Sequence, residues 1–127
     1  MSFAALLATG SKVWLDGIAA DEIAKNRARG ITGATSNPVI ISKIIERGQF
    51  ERRIGECIRR GLSDEDIAWE LNDELVKSAQ DVFLPVWNET RGNDGYVSFE
   101  LDPLVEDHAA DFDNAARVER YVELAKR

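Results

Sequence analysis

Residues 33–41 read GATSNPVII, and how that stretch folds settles the architecture. Five small or polar residues, Gly33 to Asn37, run into Pro38 and then into isoleucines at helical spacing. Proline is pre-organised for the first position of a helix, and an asparagine just before it can cap the free N–H groups. Residues 31–35 form a weakly β-prone approach. The stretch therefore predicts a strand ending near residue 35, a turn, and a helix opening at Pro38. Asn37 has two readings, a helix cap or an amide presented for chemistry. One residue can serve both, because a capped helix N-terminus also aims N–H donors outward.

The flanking segments have the same grammar. "KVWLDGI" (12–18) is a short apolar run with β-friendly Val13 and Trp14, closed by the turn signal Asp16-Gly17. "AADEIAKNRARG" predicts a helix stopped by Gly30. Beyond Pro38, Ile40, Ile41, Ile44 and Ile45 share one helical face until Gly48. Phe50, Ile54 and Ile58 mark a helix within 49–61. The longest pattern covers 63–89, with Ser63 and Asp66 as a capping pair and an acidic first turn. Its apolar row is Ile67, Leu71, Leu75, Ala79, Val82, Phe83 and Val86, and Pro85 is expected to kink or divide it. "TRGNDG" (90–95) is a loop, and "YVSFELD" (96–102) alternates as a strand ended by Pro103. From about 104 to 127 the pattern is helical, with Phe112, Ala115, Val122 and Ala125 expected to pack.

Strands alternating with helices predict parallel βαβ units. Three strands are legible, at 12–16, about 31–35 and 96–102, with a helix-rich segment between the second and third. A closed barrel takes eight strands and about 250 residues. The pattern alone thus predicts an α/β fold of about three parallel strands in one domain over residues 1–127, with edges that need cover.

Composition narrows the function classes. With 44% hydrophobic residues the chain can bury a core. Its 16 basic and 23 acidic residues give a net charge of −7, which disfavours nucleic acid. Arg52, Arg53, Arg59 and Arg60 are interleaved with acids and read as a solvated helix face. Cys57 is the single cysteine, so no internal disulfide forms; a reducing, cytoplasmic setting and a buried apolar role are expected for it. The N-terminus lacks a basic n-region, and no apolar run is long enough for a membrane span. His108, the one histidine, has no companion ligands and reads as a surface residue, so no metal is expected. Trp14, Trp69 and Trp87 read as packing residues, Trp14 in the core.

Each predicted strand ends in polar groups: Asp16 on the first, Thr35 and Asn37 on the second, Glu100 on the third. In parallel α/β folds chemistry sits at the carboxyl ends of strands. Two carboxylates, a hydroxyl and an amide converging there suit proton transfer and the holding of polyol hydroxyls. Each also has a plain reading: Asp16 as a turn residue, Asn37 as a cap, Glu100 as a solvated strand residue.

The segments "VWLDGI", "GATSNPVIISKII", "DVFLPVWNETRGNDGYVSFELDP" and "LVEDHAADFDNAARVERYVELAKR" resemble the transaldolase family in order and spacing. The resemblance covers essentially the whole chain. It implies a (β/α)8 barrel that moves a dihydroxyacetone unit between sugar phosphates through a Schiff base, in the pentose phosphate pathway. It implies that Asp16 assists proton transfer, that Thr35 and Asn37 contact ketose hydroxyls, and that Glu100 is an acid/base acting through water. It implies no cofactor. The family's Schiff-base lysine lies in a K-[IV]-P-A-T segment of the fourth strand, and none of Lys12, Lys25, Lys43, Lys77 or Lys126 lies in such a motif. The expectation is an N-terminal portion of such a barrel, inactive alone, which self-associates to cover its edges. Two alternatives stand beside it: a non-catalytic self-associating module, and a truncated fructose-6-phosphate aldolase-like protein. The long helical region 49–90 favours transaldolase proper.

Overall fold

The computed structural model describes residues 2–107 and 112–126. Among them are six α-helices and two strands: α1 (Phe3–Ala8), β1 (Trp14–Asp16), α2 (Ala20–Arg27), β2 (Gly33–Thr35), α3 (Pro38–Ile45), α4 (Glu51–Arg59), α5 (Asp64–Glu89) and α6 (Asn114–Leu124). A 3-10 helix at Pro103–Glu106 precedes α6. His108 lies outside the described residues.

β1 and β2 are parallel, with Trp14 opposite Gly33 and Asp16 opposite Thr35. The expected third strand at 96–102 is reduced to one parallel bridge, Val97 against Ala34. The backbone pairs with β2 on either side of it: Ala34 N–H donates to the Tyr96 carbonyl, and Ser98 N–H donates to the Ala34 carbonyl. Beyond that point Ser36 and Ser98 are joined through their hydroxyls rather than by further ladder rungs. The three-strand expectation is therefore corrected to two strands and a bridge.

One face of this sheet is covered. Ala34 is fully buried in a cluster with Ile23, Ile41, Ile44, Val76, Ala79 and Phe83, and Leu15 and Val97 pack against it. The alternation of strand side chains sends Trp14, Gly33, Asp16 and Thr35 to the other face. Trp14 was expected in the core; instead it lies 39% exposed on that open face. Its ring crosses Gly33, where an added Cβ would sit 2.8 Å from the indole. A second cluster joins α4 to α5 through Cys57, Ile67 and Leu71.

α5 buries its expected row except for Val82, which is exposed. It runs unbroken through Pro85. Both Pro85 and Asp81, whose carbonyl loses its donor, are exposed, so water can take the freed group. On α4 Ile58 is exposed and Cys57 is buried in its place.

The tail corrects the packing expectation more sharply. Phe112, Ala115, Val122 and Ala125 are exposed, while Leu124 is buried. α6 rests on the 3-10 helix through a different face: Tyr121 hydroxyl donates to Glu106 at 2.6 Å, and Arg117 donates to the Val105 carbonyl at 3.2 Å. Residues 117, 121 and 124 follow i, i+4, i+7 spacing, so a neighbouring face of the same helix was chosen.

Candidate active site

The parallel register brings Asp16 and Thr35 side by side at the carboxyl end of the sheet. The Thr35 hydroxyl lies 3.1 Å from an Asp16 carboxylate oxygen and 3.4 Å from the Leu15 carbonyl. A threonine has one hydroxyl proton, so it donates to one of these at a time. Asp16 is exposed and remains able to accept from a ligand.

Two residues on, Asn37 caps α3: its Oδ1 accepts from Ile40 N–H at 2.9 Å. The cap fixes the plane of the amide and leaves the Nδ2 side to donate elsewhere. Asn37 and Glu100 both line a cavity of about 370 Å³ between α3, α5 and the segment 100–103. Its walls include Ile41, Ile45 and Trp69, with Ser42, Asn72 and Asp102 as polar neighbours. Trp69, expected only to pack, does pack on Phe99 with ring centroids 6.1 Å apart, and also forms part of this wall. Asp16 and Thr35 do not line the cavity. The four expected site residues thus fall into two pairs, Asp16 with Thr35 and Asn37 with Glu100.

Two serines tie the segments bearing the second pair. Ser36 N–H donates to the Ser98 hydroxyl at 2.9 Å, and the buried Ser36 hydroxyl donates to the Ser98 carbonyl at 2.7 Å. Sequence reasoning passed over both; the signal was "TSNP" and "YVSFE" each carrying a small hydroxyl just before the candidate residue. All five lysines are exposed, and none lines the cavity. Lys12 donates to the Asn93 carbonyl below the sheet, and Lys77 pairs with Asp81 at 3.1 Å.

Residues 13–126 match the family model described as transaldolase/fructose-6-phosphate aldolase. The chain belongs to this family. The transaldolases of Mycobacterium bovis and Mycobacterium tuberculosis are each 33% identical to it over 109 residues, which cover 80% of this chain and 29% of theirs. The transaldolase of Mycobacterium ulcerans is 31% identical over the same length. The chain therefore spans under a third of the curated relatives it matches. Within this family member, no group of three His, Cys, Asp or Glu side chains among the described residues is placed to hold a metal ion. Nor is any described helix long and apolar enough to cross a membrane.

Two further charged groups lie off the candidate site. Asp94, buried at the opposite end of β1, accepts from Trp14 Nε1 at 3.0 Å and Gly95 N–H at 2.8 Å. Burial pushes its carboxyl upward, but these hydrogen bonds and the nearby Lys12 charge outweigh it and hold it below the usual range. The second group corrects the reading of the arginine-rich helix. Arg53 reaches Glu70 at 3.0 Å and Glu74 at 3.1 Å, and Arg60 reaches Glu70 at 2.8 Å, so two of the four arginines link α4 to α5. The Cys57 thiol, buried as expected, lies 3.5 Å from Glu70. Burial and the carboxylate push it upward, away from the reactive thiolate.

Proposed function

We propose that residues 1–127 act as one α/β unit carrying the hydroxyl-binding and acid–base part of a transaldolase-type site for a sugar phosphate. In this reading Asp16 and Glu100 move protons, and Thr35 and Asn37 hold ketose hydroxyls. The family reaction is dihydroxyacetone transfer through a Schiff base, in the cytoplasm and within the pentose phosphate pathway. One observation carries the assignment: Asn37 and Glu100 face a single cavity just beyond β2 and its bridged neighbour, where α/β folds place their chemistry. No cofactor is needed for amine catalysis of this kind.

The same reading makes the 127-residue chain inactive alone. Carbonyl attack needs a neutral amine, and lysine loses its proton near neutral pH only in an apolar pocket or beside another cation. The five lysines here are exposed, and none lines the cavity. Borohydride trapping with fructose 6-phosphate, read by intact mass, is expected to give no adduct. A stoichiometric adduct on one lysine would mean that another amine has taken the role. Binding is tested separately by isothermal titration with fructose 6-phosphate, where Asn37→Asp and Glu100→Gln should each lower the affinity.

A second reading is a non-catalytic module that associates with itself, and the aromatic face left open on the sheet favours it. Self-association is compatible with either function. A truncated fructose-6-phosphate aldolase-like protein is the third reading. It separates from the first by reaction: cleavage of the sugar phosphate rather than transfer of its dihydroxyacetone unit.

A further inference from the structure

We propose that Asn72 of α5 is a specificity-determining residue of this site, hydrogen-bonding the uncharged, hydroxylated carbons of the ketose while the phosphate stays outside the cavity. The inference rests on the function put forward above and deepens it. α5 turns two neighbouring faces inward. Ile67, Leu71, Leu75 and Ala79 are buried against the other helices and the sheet. Ala68, Trp69 and Asn72 stand instead in the wall of the cavity that Asn37 and Glu100 share. Residues 68 and 69 lie four and three positions before 72, so the three side chains are neighbours on one helix surface.

Asparagine is a poor choice for this position on helical grounds alone. It costs up to about 0.7 kcal/mol against alanine in a helix interior, because its amide competes for backbone groups. Asn72 sits well inside a 26-residue helix, where it caps nothing. It is half-buried, and among the described residues its amide has no hydrogen-bond partner. Other polar groups of the same wall are engaged. The Ser42 hydroxyl donates to Glu46 at 3.1 Å, and Asp102 accepts from Leu104 N–H at 2.9 Å. An amide offers two N–H donors and a carbonyl acceptor. Asn72 can thus both give and take a hydrogen bond with hydroxyls, as recognition of a polyol requires.

Charge decides which part of the ligand meets it. Glu46, Glu100 and Asp102 all line the cavity. A phosphate monoester carries nearly two negative charges at neutral pH, and inside the cavity it would meet three carboxylates. The hydroxylated carbons carry no charge. Their C–H faces suit the apolar surface of Ile41, Ile45 and Trp69, with a few polar groups fixing orientation. The ketose thus enters by its carbon chain, with its phosphate toward solvent.

The test is titration of the whole chain with fructose 6-phosphate and with fructose at low ionic strength, followed by amide NMR shifts. It compares the unmodified chain with Asn72→Leu, Glu46→Gln, Asn37→Asp and Glu100→Gln. Leucine has the same branched shape as asparagine and is the better helix former, so the fold should hold, and thermal melting checks it. Should Asn72→Leu fail to fold, Asn72→Ala carries the same test. The expected result is that Asn72→Leu weakens both ligands by a similar factor, about threefold to tenfold for a lost hydrogen bond. Glu46→Gln should strengthen fructose 6-phosphate several-fold and leave fructose unchanged. If Asn72→Leu binds both ligands normally while the Asn37 and Glu100 variants bind weakly, the proposed function stands and the role of Asn72 falls. A loss confined to fructose 6-phosphate would place Asn72 at the phosphate and overturn the inference, as would a Glu46→Gln chain that gains nothing. A loss in Asn72→Leu with none in the Asn37 and Glu100 variants supports Asn72 and overturns the roles given to those two. A chain that binds neither ligand overturns both readings.

Discussion

β1 has a carboxylate at each end, and the two are built in opposite ways. Asp94, beneath Trp14, is buried, takes N–H donors from a side chain and a backbone amide, and is held ionised. Asp16, at the carboxyl end, is exposed and has the Thr35 hydroxyl as its neighbour. A carboxylate whose acceptor sites are filled by protein donors fixes structure. One that keeps acceptor capacity toward solvent can hold a ligand. The sheet is thus anchored below and open above, and substitutions should separate the two ends.

The largest effect is expected from Asp94→Ala. It leaves the Trp14 indole and the Gly95 amide without their acceptor, and should cost about 2–4 kcal/mol in urea unfolding at neutral pH. The pH dependence sharpens the contrast. A carboxyl held below its ordinary value in the fold contributes stability above about pH 4, lost as pH falls through the folded value. The acid limb of the stability curve should therefore flatten in Asp94→Asn.

Gly95→Ala should follow at about 2 kcal/mol, because its φ of 88° strains an L side chain and a Cβ there would lie 2.4 Å from the Trp87 nitrogen. A melting temperature equal to that of the unmodified chain would show that the turn below the sheet can relax.

Asn37 comes next and splits cap from site. Asn37→Ala should lose about 1 kcal/mol with the cap, whereas Asn37→Asp keeps an oxygen for Ile40 and should stay within about 0.5 kcal/mol. If the amide serves only the helix, both variants will bind fructose 6-phosphate as the unmodified chain does. Asp16→Ala should be smallest in stability, within about 0.5 kcal/mol, and should act on ligand binding instead.

Much of the open end was legible in the sequence because local rules govern it. Asp-Gly closes β1, Asn-Pro opens α3, and short strands leave their last residues near one another. The anchored end was not legible. Asp94 sits in "GNDG", which reads as solvent-facing turn chemistry; that a tryptophan eighty residues earlier needed an acceptor is a tertiary fact. The third strand failed for a related reason: alternation from 96 to 102 states a preference, while the ladder requires a partner at every rung. On α6 several faces had comparable apolar content, and the one chosen depended on Val105 and Glu106, which periodicity within the helix cannot see.

The paired serines have a consequence for spacing. Ser36 and Ser98 form the pivot of a calliper whose arms are one residue, to Asn37, and two residues, to Glu100. The jaw opening is set by arm length rather than by the long helices that lie between these positions in sequence. Loops far from the pivot can lengthen or shorten while the gap between amide and carboxylate holds. A single residue inserted between Ser98 and Glu100 would shift one jaw by about 3.3 Å and turn its side chain to the other side.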